Sequence, residues 1–535
     1  MHPTALLDLA TELLRAVLKL DAPADSIVSG FFKRHRSLGP RERHALAETA
    51  YTVLRRRPLL QHLAQSGTGA LERRLAILAW SGDANLLKGA LGSNEAQWRT
   101  QVKALDPAGF SDKFRHNLPD WLASALRTQL GDEAFWPLVA ALDEPAPLDL
   151  RVNVLKAKRD DILSMLNQAG LRAAPTPFSP WGIRVPGKPA LQKFDAFVRG
   201  DIEVQDEGSQ LLALLVDAKR GEMVVDFCAG AGGKTLALGA AMRSTGRLYA
   251  FDVNGHRLDA LKPRMARSGL SNVHPAQIAH ERDERVKRLS GKIDRVLVDA
   301  PCSGLGTLRR NPDLKWRQSP QAVTELHAKQ TAILASAQRL VKSGGRLVYA
   351  TCSLLREENE EVAEAFSAAH PDFIALPADE ALTAAHVQRA ADLVDNGYLR
   401  LWPSRHATDG FFAAVFIVAG GRVASEADAG ARRVAHVSVH HRLHVDRRAH
   451  QAADVIQLAI LHGAGRHPRA DHRIDRADQL LFRIRREGLL HVLLVDRLVG
   501  LAQLLQVGRV QLGVFLDLAG LLYLRHLGLE VLVGH

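Results

Sequence analysis

Three cysteines occur among 535 residues, and two of them stand in matched settings. Cys302 follows Val296-Leu297-Val298-Asp299-Ala300-Pro301, an apolar run that breaks into Ser303-Gly304. Cys352 follows Leu347-Val348-Tyr349-Ala350-Thr351, a second apolar run that ends in Ser353. A thiolate is a strong nucleophile, so cysteine at a strand end can do covalent chemistry. If the two runs are neighbouring parallel strands, their ends face one ligand crevice. Adjacent strands lie about 4.8 Å apart, so two thiols would emerge side by side. A lone cysteine there reads as a small buried apolar residue. Two at matched positions, each followed by Ser, point to chemistry.

The third cysteine opens a glycine loop, Cys228-Ala229-Gly230-Ala231-Gly232-Gly233-Lys234-Thr235, which follows the apolar Val224-Val225-Asp226-Phe227. Glycines let the main chain turn sharply and approach a ligand, and the helix that follows presents free N–H groups. A phosphate-binding loop needs Gly, four residues, then Gly-Lys-Ser/Thr. Gly233-Lys234-Thr235 fits, but Cys228 stands where the leading Gly belongs. The better reading is a nucleotide crevice with an acid closing the second strand to take ribose hydroxyls. Asp252, at the end of Leu248-Tyr249-Ala250-Phe251-Asp252, is placed for that. Helix-against-strand packing by the glycines is the structural alternative.

These residues need a sheet to position them. From 201 to 420 strand and helix patterns alternate, which predicts a doubly wound, Rossmann-like α/β sheet. The strands are expected at 223–227, 248–252, 295–299, 346–350 and 411–418, with 398–402 as an antiparallel hairpin partner of the last. A small β-α-β domain is expected over 145–200, from the alternation of 148–153, a helix over 160–169 and a second strand over 182–185. Residues 1–144 read as an all-helical domain, with Leu6, Leu7, Leu13, Leu14, Val17 and Leu18 at helical spacing. Pro40 starts a further helix that closes on Arg55-Arg56-Arg57. That basic run reads as a solvated helix end or as a contact to RNA phosphate.

Composition narrows the class. With 47% hydrophobic and 24% charged residues the chain is a globular protein, not a disordered or collagen-like one. The odd, low cysteine count excludes a disulfide framework and fits a reducing, cytoplasmic setting. No stretch of about 18 apolar residues predicts a membrane span, and no secretory signal is visible. A formal charge of +12 favours a polyanionic partner such as a nucleic acid. Residues 421–535 differ from the rest. They hold 16 Arg, 11 acidic residues and 11 of the 23 His, but no Lys, Asn, Thr or Met. Codons for those four missing types all begin with A, which suggests a GC-rich region read outside its native frame rather than a native domain. An Arg/Leu/Val-rich helical extension is the competing reading. A metal site at His440, His441 and His444 lacks supporting ligands, so no metal is expected.

The strings DFCAGAGGKT, DAPCSGLGTLRRNPDLKW and YATCSLLREENEEV resemble the motifs of Sun-family RNA (cytosine-5) methyltransferases, above all the ribosomal RNA small subunit methyltransferase B group. The likeness covers roughly residues 145–418. It is fainter over the first 140, where SLGPRERHALAETAYTVLRR resembles an antitermination-factor-like RNA-binding domain. The resemblance implies a methyltransferase sheet and S-adenosyl-L-methionine as cofactor. It implies Cys352 as nucleophile toward cytosine C6 and Cys302 as the group that helps remove the C5 proton. Asp299 would hydrogen-bond the cytosine and also border the cofactor. Cys228, Ala229, Gly230, Ala231, Gly232, Gly233 and Lys234 would cradle the methionine end, Asp252 the ribose, and Lys234 would face carboxylates or the target. Many relatives carry an Asp on the adenine side; here the position falls on His280, with Asp283 as a possible substitute.

The expected partner is RNA, 16S ribosomal RNA first and a tRNA cytosine second, with a monomeric enzyme. A non-catalytic ribosome-assembly factor of the same fold is the alternative from another class. Arg309, Arg310, Lys315, Trp316 and Arg317 suit a flipped base and its phosphates, or else a solvated loop with Trp316 tucked into the core.

Overall fold

The structure is a computed structural model that describes residues 2–419. Expectations for 421–535, including His440, His441 and His444, lie outside the described residues. Up to residue 143 the chain is helical, from Pro3–Val17 to Asp120–Asp143, and the last helix kinks at Gly131. The helix Pro40–Arg55 starts where Pro predicts, with the Glu42 carboxylate accepting the Gly39 N–H at 2.7 Å.

Four strands then form a small antiparallel sheet: β1 (Leu148–Val152), β2 (Ala174–Pro175), β3 (Gly182–Val185) and β4 (Ile202–Val204), in the order β2-β3-β1-β4. The helix Arg159–Gln168 falls between β1 and β2. The reading that ends this unit at Gly200 is corrected by one strand. β4 pairs with β1, Leu150 opposite Val204, so the small sheet runs past that boundary. A three-residue strand carries too little periodicity to be assigned before its partner is known.

The larger sheet contains β5 (Met223–Asp226), β6 (Arg247–Asp252), β7 (Val273–Gln277), β8 (Ile293–Asp299), β9 (Val341–Thr351), β10 (Phe373–Leu376), β11 (Val394–Asp395), β12 (Tyr398–Leu401) and β13 (Phe411–Val418). Its order is β11-β12-β13-β9-β8-β5-β6-β7, with β10 beside β13. The pairs among β5 to β9 are parallel, while β13 runs antiparallel to β9 and β12. Alternation along each strand sends residues to two cores. Val224, Leu297 and Val348 enter one; Val225, Val296, Val298, Leu347 and Tyr349 enter the other. From β5 the chain builds outward to β6 and β7, then returns to add β8 and β9 on the other side. That reversal leaves a crevice at the carboxyl ends of β5 and β8, where a doubly wound sheet holds its ligand.

Candidate active site

β5 ends at Asp226 and the chain enters the glycine loop. Ala229 N donates to Phe251 O and Gly230 N to Asp252 Oδ2, each at 2.8 Å. Gly230 and Gly232 take positive φ of 56° and 83°, which an L side chain resists. Gly232 also sits against Leu261, where a Cβ would meet Cδ1 at 2.1 Å. A Cβ on Gly230 would meet nothing within 4 Å, so that side of the loop faces open space. The loop is thus sewn to the end of β6, and Asp252 accepts from Asn254 N with its other oxygen at 2.8 Å.

Beneath the loop lies Asp226, 1% exposed. Its Oδ2 accepts the Thr235 hydroxyl at 2.7 Å, while the buried Oδ1 has no partner. Burial, opposed only in part by the Thr235 bond, pushes the carboxyl up to about 7. Asp226 has one signal in the sequence, an acid interrupting an apolar strand. An orphaned carboxylate oxygen under a glycine-rich loop fits a cationic amino group, and Asp252 keeps lone pairs for ribose hydroxyls. These residues therefore fit the aminoacyl and ribose parts of S-adenosyl-L-methionine.

The two thiols meet. In the β8–β9 ladder Asp299 lies opposite Ala350, so Cys302 and Cys352 leave neighbouring strands at nearly the same height. Their Sγ atoms are 3.3 Å apart. Both are half-buried, and the Cys302 thiol is pushed well up by its hydrogen bond to Cys352, by burial and by nearby negative charge. Cys228 lies on the loop, its thiol also pushed well up by burial and by Asp299, Asp226 and Asp252. Lys234 Nζ reaches Asp299 Oδ2 at 2.7 Å. Burial works against the Lys234 ammonium, but Asp299 outweighs it and holds the lysine above its ordinary pKa. Asp299 therefore spends one oxygen on Lys234; the sequence directs that lysine toward carboxylates or the target but does not name Asp299 as its partner.

A second group missed from sequence is Glu358, 0% exposed within the acidic run Glu357-Glu358-Asn359-Glu360. It accepts from Ser303 N at 2.8 Å, Gln330 Nε2 at 3.0 Å and the hydroxyls of Ser303 and Ser353, each at 2.5 Å. Asn359 Nδ2 donates to Ser353 O at 3.0 Å, and Gly306 N to Cys352 O at 2.8 Å. The signal available was the Ser after each Cys. Both turns are backed by apolar packing, with Leu305, Leu308, Leu354 and Leu355 set against Leu122, Leu126 and Phe135 of the kinked helix.

His280 lies just past β7, whose neighbour Ile278 donates to Asp252 O at 3.0 Å. The ring is exposed, with Nδ1 accepting from Arg282 N at 3.1 Å. Asp283 is occupied as a cap, accepting from Ala279 N at 3.0 Å and Arg285 N at 2.9 Å.

The proposed RNA contacts after Cys302 turn inward instead. Lys315 is 2% exposed and donates to Arg55 O at 2.7 Å, and burial pushes its ammonium down to about 8. Trp316 Nε1 donates to Leu54 O at 2.7 Å, and its ring packs on the helical core. Arg310 bridges Asp409 at 2.6 Å and Asp206 at 2.8 Å, Arg309 points at Pro145 O and Thr408 O, and Arg317 meets Asp313. The run at 55–57 belongs to the same interface. Arg55 reaches Arg309 O at 3.3 Å, Arg56 meets Asp143 at 3.4 Å, and Arg57 lies 5.6 Å over the Trp316 ring. The run is therefore only in part a solvated helix end: Arg56 stays exposed beside Asp143, while Arg55 is buried and Arg57 rests on the indole. Among the described residues no cluster of His, Cys, Asp and Glu is arranged for a metal ion, and no helix is long and apolar enough to cross a membrane.

Comparison with known proteins agrees with this geometry. Residues 213–417 match a family described as 16S rRNA methyltransferase RsmB/F, and residues 118–192 match its ferredoxin-like domain. A probable ribosomal RNA small subunit methyltransferase B from Synechocystis is 32% identical over 441 residues, 76% of this chain and 98% of that protein. Its counterpart from Bacillus subtilis is 32% identical over 63% of this chain and 74% of that protein. Among solved structures, PH0851 superposes with a TM-score of 0.63 at 26% identity, over 78% of this chain and 99% of that one. A methyltransferase homolog protein from Pyrococcus horikoshii gives 0.50 at 28% identity, over 59% of this chain and 100% of that one. The chain belongs to the RsmB/F family of ribosomal RNA methyltransferases, whose methyl donor is S-adenosyl-L-methionine.

Proposed function

We propose that the protein methylates C5 of a cytosine in 16S ribosomal RNA, acting as a cytoplasmic monomer with Cys352 as nucleophile. The observation that carries this reading is the pair of thiols 3.3 Å apart at the mouth of the glycine-loop crevice. Cytosine C5 is a poor nucleophile, and addition of the Cys352 thiolate to C6 makes C5 electron-rich. The bound donor supplies an electrophilic methyl group for C5. Cys302, as its thiolate, then takes the C5 proton, and the electron pair left behind breaks the C6–sulfur bond so that Cys352 leaves as thiolate. The free oxygen of Asp299 accepts a hydrogen bond from the cytosine amino group, while Lys234 holds that carboxylate in place. Asp226, the loop from Cys228 to Lys234, and Asp252 hold the donor, with His280 at the adenine side. The helical domain over 1–144 and the small domain from 145 to about 200 present the RNA.

The test is a pair of variants incubated with S-adenosyl-L-methionine and 16S RNA. Cys352→Ala abolishes methyl transfer and any denaturation-resistant protein–RNA adduct. Cys302→Ala accumulates that adduct and blocks turnover. Normal turnover by the Cys302 variant ends the release role. RNA binding without methyl transfer by the wild type supports the assembly-factor reading, and transfer to tRNA alone moves the substrate.

A further inference from the structure

The reaction above needs two thiols that behave differently, yet Cys302 and Cys352 touch, share a strand-end setting and are each followed by Ser. Their surroundings are unequal. Glu358 holds the Cys302 turn at two points, the Ser303 N–H and hydroxyl, and the N–H it accepts belongs to the peptide leaving Cys302. Gln330 extends the hold, donating both to Glu358 and to Pro301 O at 3.0 Å. The Cys352 turn meets the carboxylate only through the Ser353 hydroxyl. All four groups bonded to Glu358 can donate to it, two to each carboxylate oxygen. The cation of the site, Lys234, is instead coupled to Cys352. A thiolate there favours the ammonium.

We propose that Glu358 is a positioning residue that makes the two thiols unequal: it ties both turns into register and sets its negative charge on the Cys302 side, leaving Cys352 as the nucleophile. The inference rests on the thiol-addition reading. The groups facing Cys302 are the Cys352 thiol, the Glu358 carboxylate, the Tyr349 phenol and the Gly304 N–H. Those facing Cys352 are Cys302 and the Lys234–Asp299 pair. Negative charge behind Cys302 opposes its ionisation, so Cys352 attacks first; its addition to C6 removes the neighbouring sulfur charge, the largest opponent, and frees Cys302 to ionise for the later step.

The experiment is iodoacetamide labelling of the full chain across a pH series, without RNA, read cysteine by cysteine by mass spectrometry. In the wild type Cys352 labels faster than Cys302 near neutral pH, because the thiolate is the reactive form. Glu358→Gln removes the charge and raises the Cys302 rate about tenfold, while Cys228 serves as the unmoved reference. Glu358→Asp keeps the charge and restores the order. An unchanged Cys302 rate in a Glu358→Gln protein that still binds the donor overturns the proposal, as does Glu358→Asp behaving like Gln. Faster labelling of Cys302 in the wild type overturns it even if the variants do not fold. Because no RNA is present, this outcome is separate from the adduct test of the nucleophile itself.

Discussion

Asp226 offers a prediction in which stability and function pull in opposite directions. An unfolded Asp ionises near 3.8, but burial holds the folded carboxyl near 7. Between those values the folded chain keeps a proton that the unfolded chain has lost. Folding is therefore penalised progressively as pH rises from about 4 to about 7, and in full above that. A shift of this size is worth on the order of 4 kcal/mol at about pH 8, but only about 1–2 kcal/mol at about pH 5. Asp226→Asn removes the titration, and its carbonyl oxygen can still accept the 2.7 Å bond from Thr235. Without donor, the variant should melt increasingly above the wild type as pH rises from about 5 to about 8. The same variant should bind S-adenosyl-L-methionine at least about tenfold more weakly by calorimetry, because the cationic amino group loses its counter-charge. Thermal midpoints recorded at both pH values decide the matter. A gap between variant and wild type that does not change with pH refutes the reasoning.

The two loop glycines should part company. Gly232→Ala forces Cβ toward Leu261 at a φ of 83°, so both folding stability and donor affinity should fall, by about 2 kcal/mol or more. Gly230→Ala meets no protein atom, and should cost only about 1 kcal/mol of stability while weakening donor binding disproportionately; equal losses at the two positions would remove the loop from the donor site. Trp316→Ala should cost roughly 3 kcal/mol and speed proteolysis of the helix Pro40–Arg55, with donor affinity held within about twofold. If the variant instead left protease resistance intact and weakened RNA binding, Trp316 would be an RNA contact after all.

Local pattern was enough for much of this protein. Apolar runs ending in Asp252, Asp299 and Thr351 became β6, β8 and β9, and the glycine loop became the turn between β5 and a helix, because strand period and glycine freedom are properties of a few adjacent residues. The matched Cys-Ser pairs marked the chemistry for the same reason. What remained hidden depends on partners distant in sequence. Glu358 stands in an acidic run that looks solvated, and only the packing of two strand ends over it makes it a fully buried clamp. Nothing beside Asp299 in the sequence marks its ion pair with Lys234, 65 residues away, which only the fold brings to its side. Arg310, Lys315 and Trp316 have the composition of an RNA contact, yet Lys315 and Trp316 brace the helical segment and Arg310 bridges Asp206 and Asp409. A cation or indole N–H is satisfied by whichever carbonyl or carboxylate tertiary packing supplies, and neither charge nor ring carries a record of that choice in the local sequence.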